Sequence, residues 1–142
     1  MRTVQAFETV AVLIAEDDEG HAVLIREHLE EAGVTNPILR FKDGQEVLDY
    51  FEGPGRGRRN LLLDINMPRV GGVEVLRRLK ADPATRRTPV IMLTTTDDPR
   101  EVEACYDAGC NFYITKPRSF EAFSEALTLL GRFLPVIQVA EP

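Results

Sequence analysis

The chain has 142 residues, 17 basic against 23 acidic, and a formal net charge of −6. That length suits one domain, and a hydrophobic fraction of 44% excludes a largely disordered chain. The acidic balance argues against a nucleic-acid binder that relies on phosphate neutralisation, and two cysteines are too few for a disulfide scaffold.

A segment over residues 1–8 reads as an N-terminal extension, with neither the pattern of a signal peptide nor that of a membrane span. The first apolar run, Val10–Ala15, ends at once in four acids, Glu16-Asp17-Asp18-Glu19. Ala22, Ile25, Leu29 and Ala32 then recur at helical spacing, and Gly33 supplies a stop. A weaker run, Pro37–Phe41, precedes a short helix marked by Val47, Leu48 and Phe51 and closed by Gly53. The loop Gly53–Arg59 carries three arginines among glycines and reads as a solvated turn.

The third run is Asn60–Leu63, and Val73, Leu76 and Leu79 mark the helix entered through Gly71-Gly72. Pro89–Leu93 follows as the fourth run. Asp98-Pro99-Arg100-Glu101 then starts a helix with an N-cap carboxylate and a proline at its first position, with Val102, Cys105 and Tyr106 as its buried stripe. The fifth run is Asn111–Thr115. The last helix begins at Ser119, places Phe120, Phe123, Leu127, Leu130 and Leu134 on one face, and stops at Pro135. Four of the five runs lack polar alternation, as strands covered on both faces do. Alternating strands and helices predict a doubly wound α/β domain over 9–134, a five-stranded parallel sheet with helices on both faces. Residues 135–142 form an apolar C-terminal tail. A cytoplasmic protein with no attached output domain is expected.

In such sheets ligands bind outside the carboxyl ends of the strands. Glu16 and Asp17 follow the first run, Asp64 and Asn66 the third, Thr94 the fourth and Lys116 the fifth. Crowded carboxylates raise one another's pKa unless a cation neutralises them, and an all-oxygen set suits Mg²⁺ or Mn²⁺. A carboxylate beside such an ion can act as a nucleophile toward a phosphoryl group. A lysine and a threonine hydroxyl would cover the phosphoryl oxygens. Each part also has a plainer reading: an acidic run caps a helix, and a lysine is usually a surface charge. Their joint placement at successive strand ends favours chemistry. Lys116 is moreover one of three lysines beside fourteen arginines, which suggests that a compact ammonium is wanted there.

The pattern Glu16-Asp17, Asp64-x-Asn66-Met67-Pro68-x-x-Gly71-Gly72, Thr94 and Lys116-Pro117 resembles the receiver domain of two-component response regulators, in that family's order and spacing. The resemblance implies the flavodoxin-like receiver fold, (βα)5. It implies Asp64 as the phosphoacceptor, served by a sensor histidine kinase, with Glu16, Asp17, Asp64 and the backbone carbonyl of Asn66 holding Mg²⁺. It also implies Thr94 as the switch hydroxyl, Lys116 as the family's lysine, and Tyr113 as the aromatic switch that turns inward on activation. The acidic pair is set at 16 and 17, and not one residue later, because the strand ends at Ala15.

Arg118 departs from the apolar residue common after Lys-Pro, and Thr95 and Thr96 stand beside the switch threonine. Cys110 is expected to pack inside, and His21 and His28 to lie on the surface of the first helix. The plainer reading of the apolar tail is that it folds back on its own domain. It is also similar to the tails of phytochrome-associated regulators, which implies a homodimer through the fourth helix, fifth strand, fifth helix and C-terminal tail. A bacterial phytochrome is therefore one kinase candidate. Two other functions compete. An aspartyl-nucleophile phosphatase resembles an Asp-x-Asp pair, where this chain has Asn66, and a pseudo-receiver binding module usually lacks one of the site residues. The expected protein catalyses only its own phosphorylation and slow dephosphorylation.

Overall fold

Each apolar run becomes a parallel strand because a helix returns the chain to the same edge of the sheet every time. In the computed structural model, which describes residues 10–53 and 59–136, the strands are β1 (Ala11–Ala15), β2 (Ile38–Phe41), β3 (Arg59–Leu63), β4 (Val90–Thr94) and β5 (Phe112–Thr115). The helices between and after them are α1 (Glu19–Glu31), α2 (Gly44–Glu52), α3 (Gly72–Ala81), α4 (Pro99–Asp107) and α5 (Phe120–Phe133), with a 3-10 turn at Leu134–Val136. The strand order is β2-β1-β3-β4-β5, all parallel. The doubly wound α/β expectation holds, and the order reverses between β1 and β3, where such sheets open a crevice.

Alternate residues of each continuous apolar strand serve opposite faces. Leu13, Leu61, Leu63, Val90 and Met92 pack with Val47 and Leu48 of α2, Leu76 and Leu79 of α3 and Cys105 of α4. Val12, Ile14, Leu62, Ile91 and Leu93 pack with Ile25 and Leu29 of α1 and with Phe123, Leu127 and Leu130 of α5. Cys110 is buried with the first group, as expected, and burial pushes its thiol up to about 11.

The helix punctuation follows the sequence closely. Gly33 and Gly109 take positive φ just after α1 and α4, which only glycine adopts without cost. The Asp98 carboxylate accepts from the Arg100 amide, and Pro99 is the first residue of α4. In α3, Val75, Leu76 and Leu79 are buried, and Val73 packs half-buried against the same core. Two packing expectations fail. Tyr106 is 49% exposed, since the nine-residue α4 lies near the sheet edge and buries Cys105 alone. Phe120 is 66% exposed as the first residue of α5, at the carboxyl end of the sheet before the helix reaches the strands. β5 is also less covered than a central strand, because it is the last in the order. The expected 1–8 extension, most of the arginine loop and tail residues 137–142 lie outside the described residues.

Candidate functional site

The acids are brought together by the register of the central strands. Ala15 lies opposite Leu63, so Glu16 and Asp64 leave adjacent strands at the same level, and the Asp64 amide donates to Ala15 O at 3.1 Å. Glu16, Asp17 and Asp64 each present a carboxylate oxygen, all within 4.8 Å of one another. Asp18 stands apart in role: its side chain accepts from the His21 amide at 2.9 Å and caps α1. That hydrogen bond holds the Asp18 carboxyl below the usual carboxylate range. The acidic run therefore divides between a cap and a cluster, with the pair at 16 and 17.

The phosphoacceptor candidate is held from behind by α3. Gly72 begins that helix against the backbone of Asp64, where a Cβ would lie 2.1 Å from Asp64 O, and its amide donates to Ile65 O at 2.9 Å. No residue with a side chain fits there. Asn66 is exposed in the loop after β3, and its amide donates to Asp64 Oδ1 at 3.3 Å.

Lys116 reaches the acids from β5. Its amide donates to Thr94 O at 2.7 Å, which carries the chain over the end of β4. The ammonium donates to Glu16 Oε1 and stands 3.7 Å from Asp64 Oδ2. Glu16, Asp64 and Lys116 are all buried, whereas Asp17 is exposed. Burial pushes the Glu16 carboxyl up to about 7 against the pull of Lys116. A hard divalent cation fits this donor set. It would accept oxygen ligands from three carboxylates and offset the cost of burying their charge.

Thr94 is fully buried, and its hydroxyl accepts a long bond from the Thr96 amide at 3.5 Å. Tyr113 is half-buried, with its hydroxyl donating to Thr96 O at 2.6 Å. Burial pushes this phenol up to about 12, so it remains a donor at neutral pH. Thr94 and Tyr113 thus meet on the same short loop after β4.

Two residues near the site escape a reading by strand ends. His21, expected on the surface, is half-exposed, but its Nδ1 lies 3.2 Å from Lys116 Nζ. Its ring also meets Phe123 edge-on at 5.9 Å between centroids. Arg40 comes from the weak second run, and its guanidinium reaches the backbone of both Glu16 and Asp17. The signal for Arg40 is a lone charge inside an otherwise apolar strand, Ile38-Leu39-Arg40-Phe41. For His21 it is the first turn of the helix that leaves the acids.

The same architecture occurs in known proteins. A family model described as the response regulator receiver domain matches residues 12–128. A response regulator receiver domain from Rhodospirillum rubrum is 46% identical, with a TM-score of 0.89 over 93% of this chain and 98% of that one. Response regulator Rcp1 of Synechocystis is 32% identical over 115 residues, 78% of each chain. The Mn²⁺-bound form of Rcp1 superposes with a TM-score of 0.86 over 92% of this chain and 99% of that one. The phosphorylated cyanobacterial phytochrome response regulator RcpA is 28% identical, with a TM-score of 0.84 over 92% and 98%.

Proposed function

Because this chain belongs to the response regulator receiver domain family, we propose that it accepts a phosphoryl group from a sensor histidine kinase on Asp64 and thereby switches a protein-interaction surface. The observation that carries this reading is the convergence of Glu16, Asp17 and Asp64 within 4.8 Å, with the Lys116 ammonium between Glu16 and Asp64.

In the proposed step, a carboxylate oxygen of Asp64 attacks the phosphorus of a phosphohistidine. The P–N bond breaks, an acyl phosphate forms, and the departing imidazole nitrogen takes up a proton. Glu16, Asp17, Asp64 and the carbonyl of Asn66 would hold Mg²⁺ or Mn²⁺, which when bound neutralises charge on the transferring phosphoryl oxygens. Lys116, 3.7 Å from Asp64 Oδ2, would exchange that contact for one to a phosphoryl oxygen. Thr94 would donate its hydroxyl to another, drawing the 95–97 loop with it. Tyr113 is bonded to that loop through Thr96 O, so the movement reaches the face of α4, β5 and α5. This is a shift between two populated arrangements, driven by a phosphoryl group carrying about −1.5 to −2 charge in place of the carboxylate's −1 and by its three acceptor oxygens.

Asn66 supports a phosphoacceptor over a phosphatase, since an amide cannot serve as the general acid that turnover requires. The α4–β5–α5 face exposes Tyr106, Phe112 and Phe133, with the two phenylalanine rings edge-to-face at 5.8 Å, and is proposed as a homodimer interface. The likeness to a phytochrome response regulator makes phytochrome kinases the first donors to test. The net charge of −6 disfavours nucleic acid as a partner. Among the described residues no helix is long and apolar enough to cross a membrane, and a cytoplasmic location is proposed.

The test is incubation with a small phosphoramidate donor and Mg²⁺, followed by intact mass. The expected result is a gain of one phosphoryl group that is lost in base and absent without the metal. Catalytic hydrolysis of phosphomonoesters, abolished by Asp64→Asn, would instead establish a phosphatase.

A further inference from the structure

Arg40 lies on the edge strand β2, opposite Ile14 of β1, and its side chain crosses the end of β1 toward the acidic loop. Its guanidinium fork is divided among three acceptors. Nε donates to Glu16 O at 3.0 Å, Nη2 to Asp17 O at 3.3 Å, and Nη1 to Glu19 Oε2 at 2.7 Å. The side chain is only 18% exposed, although it carries a full charge.

The position explains what the fork does. The β1–β2 ladder ends where the Glu16 amide donates to Phe41 O at 3.0 Å. The next two carbonyls, of Glu16 and Asp17, have left the sheet and have no strand partner to orient them. A planar guanidinium bonded to both fixes two successive peptide planes at once, and with them the directions in which the two carboxylates leave the backbone. A bare cation at this distance would weaken binding of a second cation. Here Glu19 lies on the same guanidinium and offsets its charge, leaving geometry as the principal effect.

We infer that Arg40 is a positioning residue for the divalent-cation site, acting through the Glu16 and Asp17 carbonyls and not by contact with the ion. The inference rests on the proposed cation-binding role of Glu16, Asp17 and Asp64.

Its test measures Mg²⁺ binding by calorimetry on wild type, D17N, R40M and R40K, with amide hydrogen exchange on the metal-free proteins. Loss of a group that orients metal ligands typically weakens affinity on the order of tenfold or more. R40M is expected to show that weakening, with phosphorylation at saturating Mg²⁺ close to wild type. Exchange in the metal-free protein should quicken across residues 16–20 and stay unchanged in β4. R40K keeps the charge but not the fork, so it should resemble R40M. It carries the same reading should R40M fail to fold. Wild-type affinity in R40M, or its full restoration in R40K, would overturn the inference while tight binding by wild type and loss in D17N left the cation site standing. Failure of wild type itself to bind Mg²⁺ would overturn both.

Discussion

The Lys116 ammonium is bonded to the Glu16 carboxylate, a partner 100 positions earlier in the chain, and both side chains are at least 97% buried. This pair joins the end of β5 to the end of β1 across the intervening β3 and β4. Its ammonium also faces Asp64 at 3.7 Å. The lysine therefore serves two anions, and a new charge on Asp64 would compete directly with Glu16 for it.

Removing the lysine leaves Glu16 buried without its cation. Lys116→Met should destabilise the metal-free protein at alkaline pH by about 3–5 kcal/mol, the usual cost of orphaning a buried charge. Under mildly acid conditions Glu16 can protonate, and the cost should shrink. Urea denaturation at two pH values measures both.

The raised pKa of Glu16, about 7 against an ordinary 4.5, carries a sign that can be tested. The folded state holds a proton that the unfolded chain has already released, so this group's contribution to stability falls as pH rises from 4.5 toward 7. A cation at the site must displace that proton. Mg²⁺ affinity should therefore rise by about tenfold per pH unit below about 7 and level off above it. Glu16→Gln should flatten the profile. Calorimetric titrations across that range check it.

Gly72 has no room for a side chain, with a Cβ lying 2.1 Å from Asp64 O. Gly72→Ala should cost about 1–3 kcal/mol as the backbone shifts to relieve the overlap. Because the displaced backbone belongs to Asp64, phosphorylation should slow beyond what the stability loss explains. Urea unfolding and phosphorylation rates measured on the same preparation separate the two effects.

Tyr113 holds the loop after β4 through its hydroxyl at 2.6 Å from Thr96 O. Tyr113→Phe should lose about 1 kcal/mol of stability, the net worth of one such bond. Amide exchange in residues 95–97 should quicken, while β1 and β3 remain as protected as in wild type.

Strand ends carried most of what could be read in advance. The runs that became β1, β3 and β4 are continuous and apolar because helices cover both faces, and the acids after them could go only to the carboxyl edge. The split between Glu16-Asp17 and Asp18 was legible only from where β1 stops, a matter of one residue. Helix stripes were less readable. Tyr106 and Phe120 have apolar character and helical spacing, but nothing in a period of 3.6 says whether the sheet extends beneath them. Arg40 and His21 were missed for a different reason. Each acts on a neighbour distant in sequence, Arg40 on the β1 loop and His21 on Lys116, and that adjacency exists only once β2 lies beside β1 and α1 beside α5.

Borohydride trapping tests the central claim most directly, because it reduces an acyl phosphate and leaves homoserine where an aspartyl phosphate stood. After phosphorylation with a small phosphodonor and Mg²⁺, peptide mass mapping should find homoserine at position 64 and at none of positions 16 to 19. Asp64→Asn should give none anywhere. Homoserine at Asp17 or Asp18, or undiminished labelling of Asp64→Asn, would contradict the assignment of Asp64 as the phosphoacceptor.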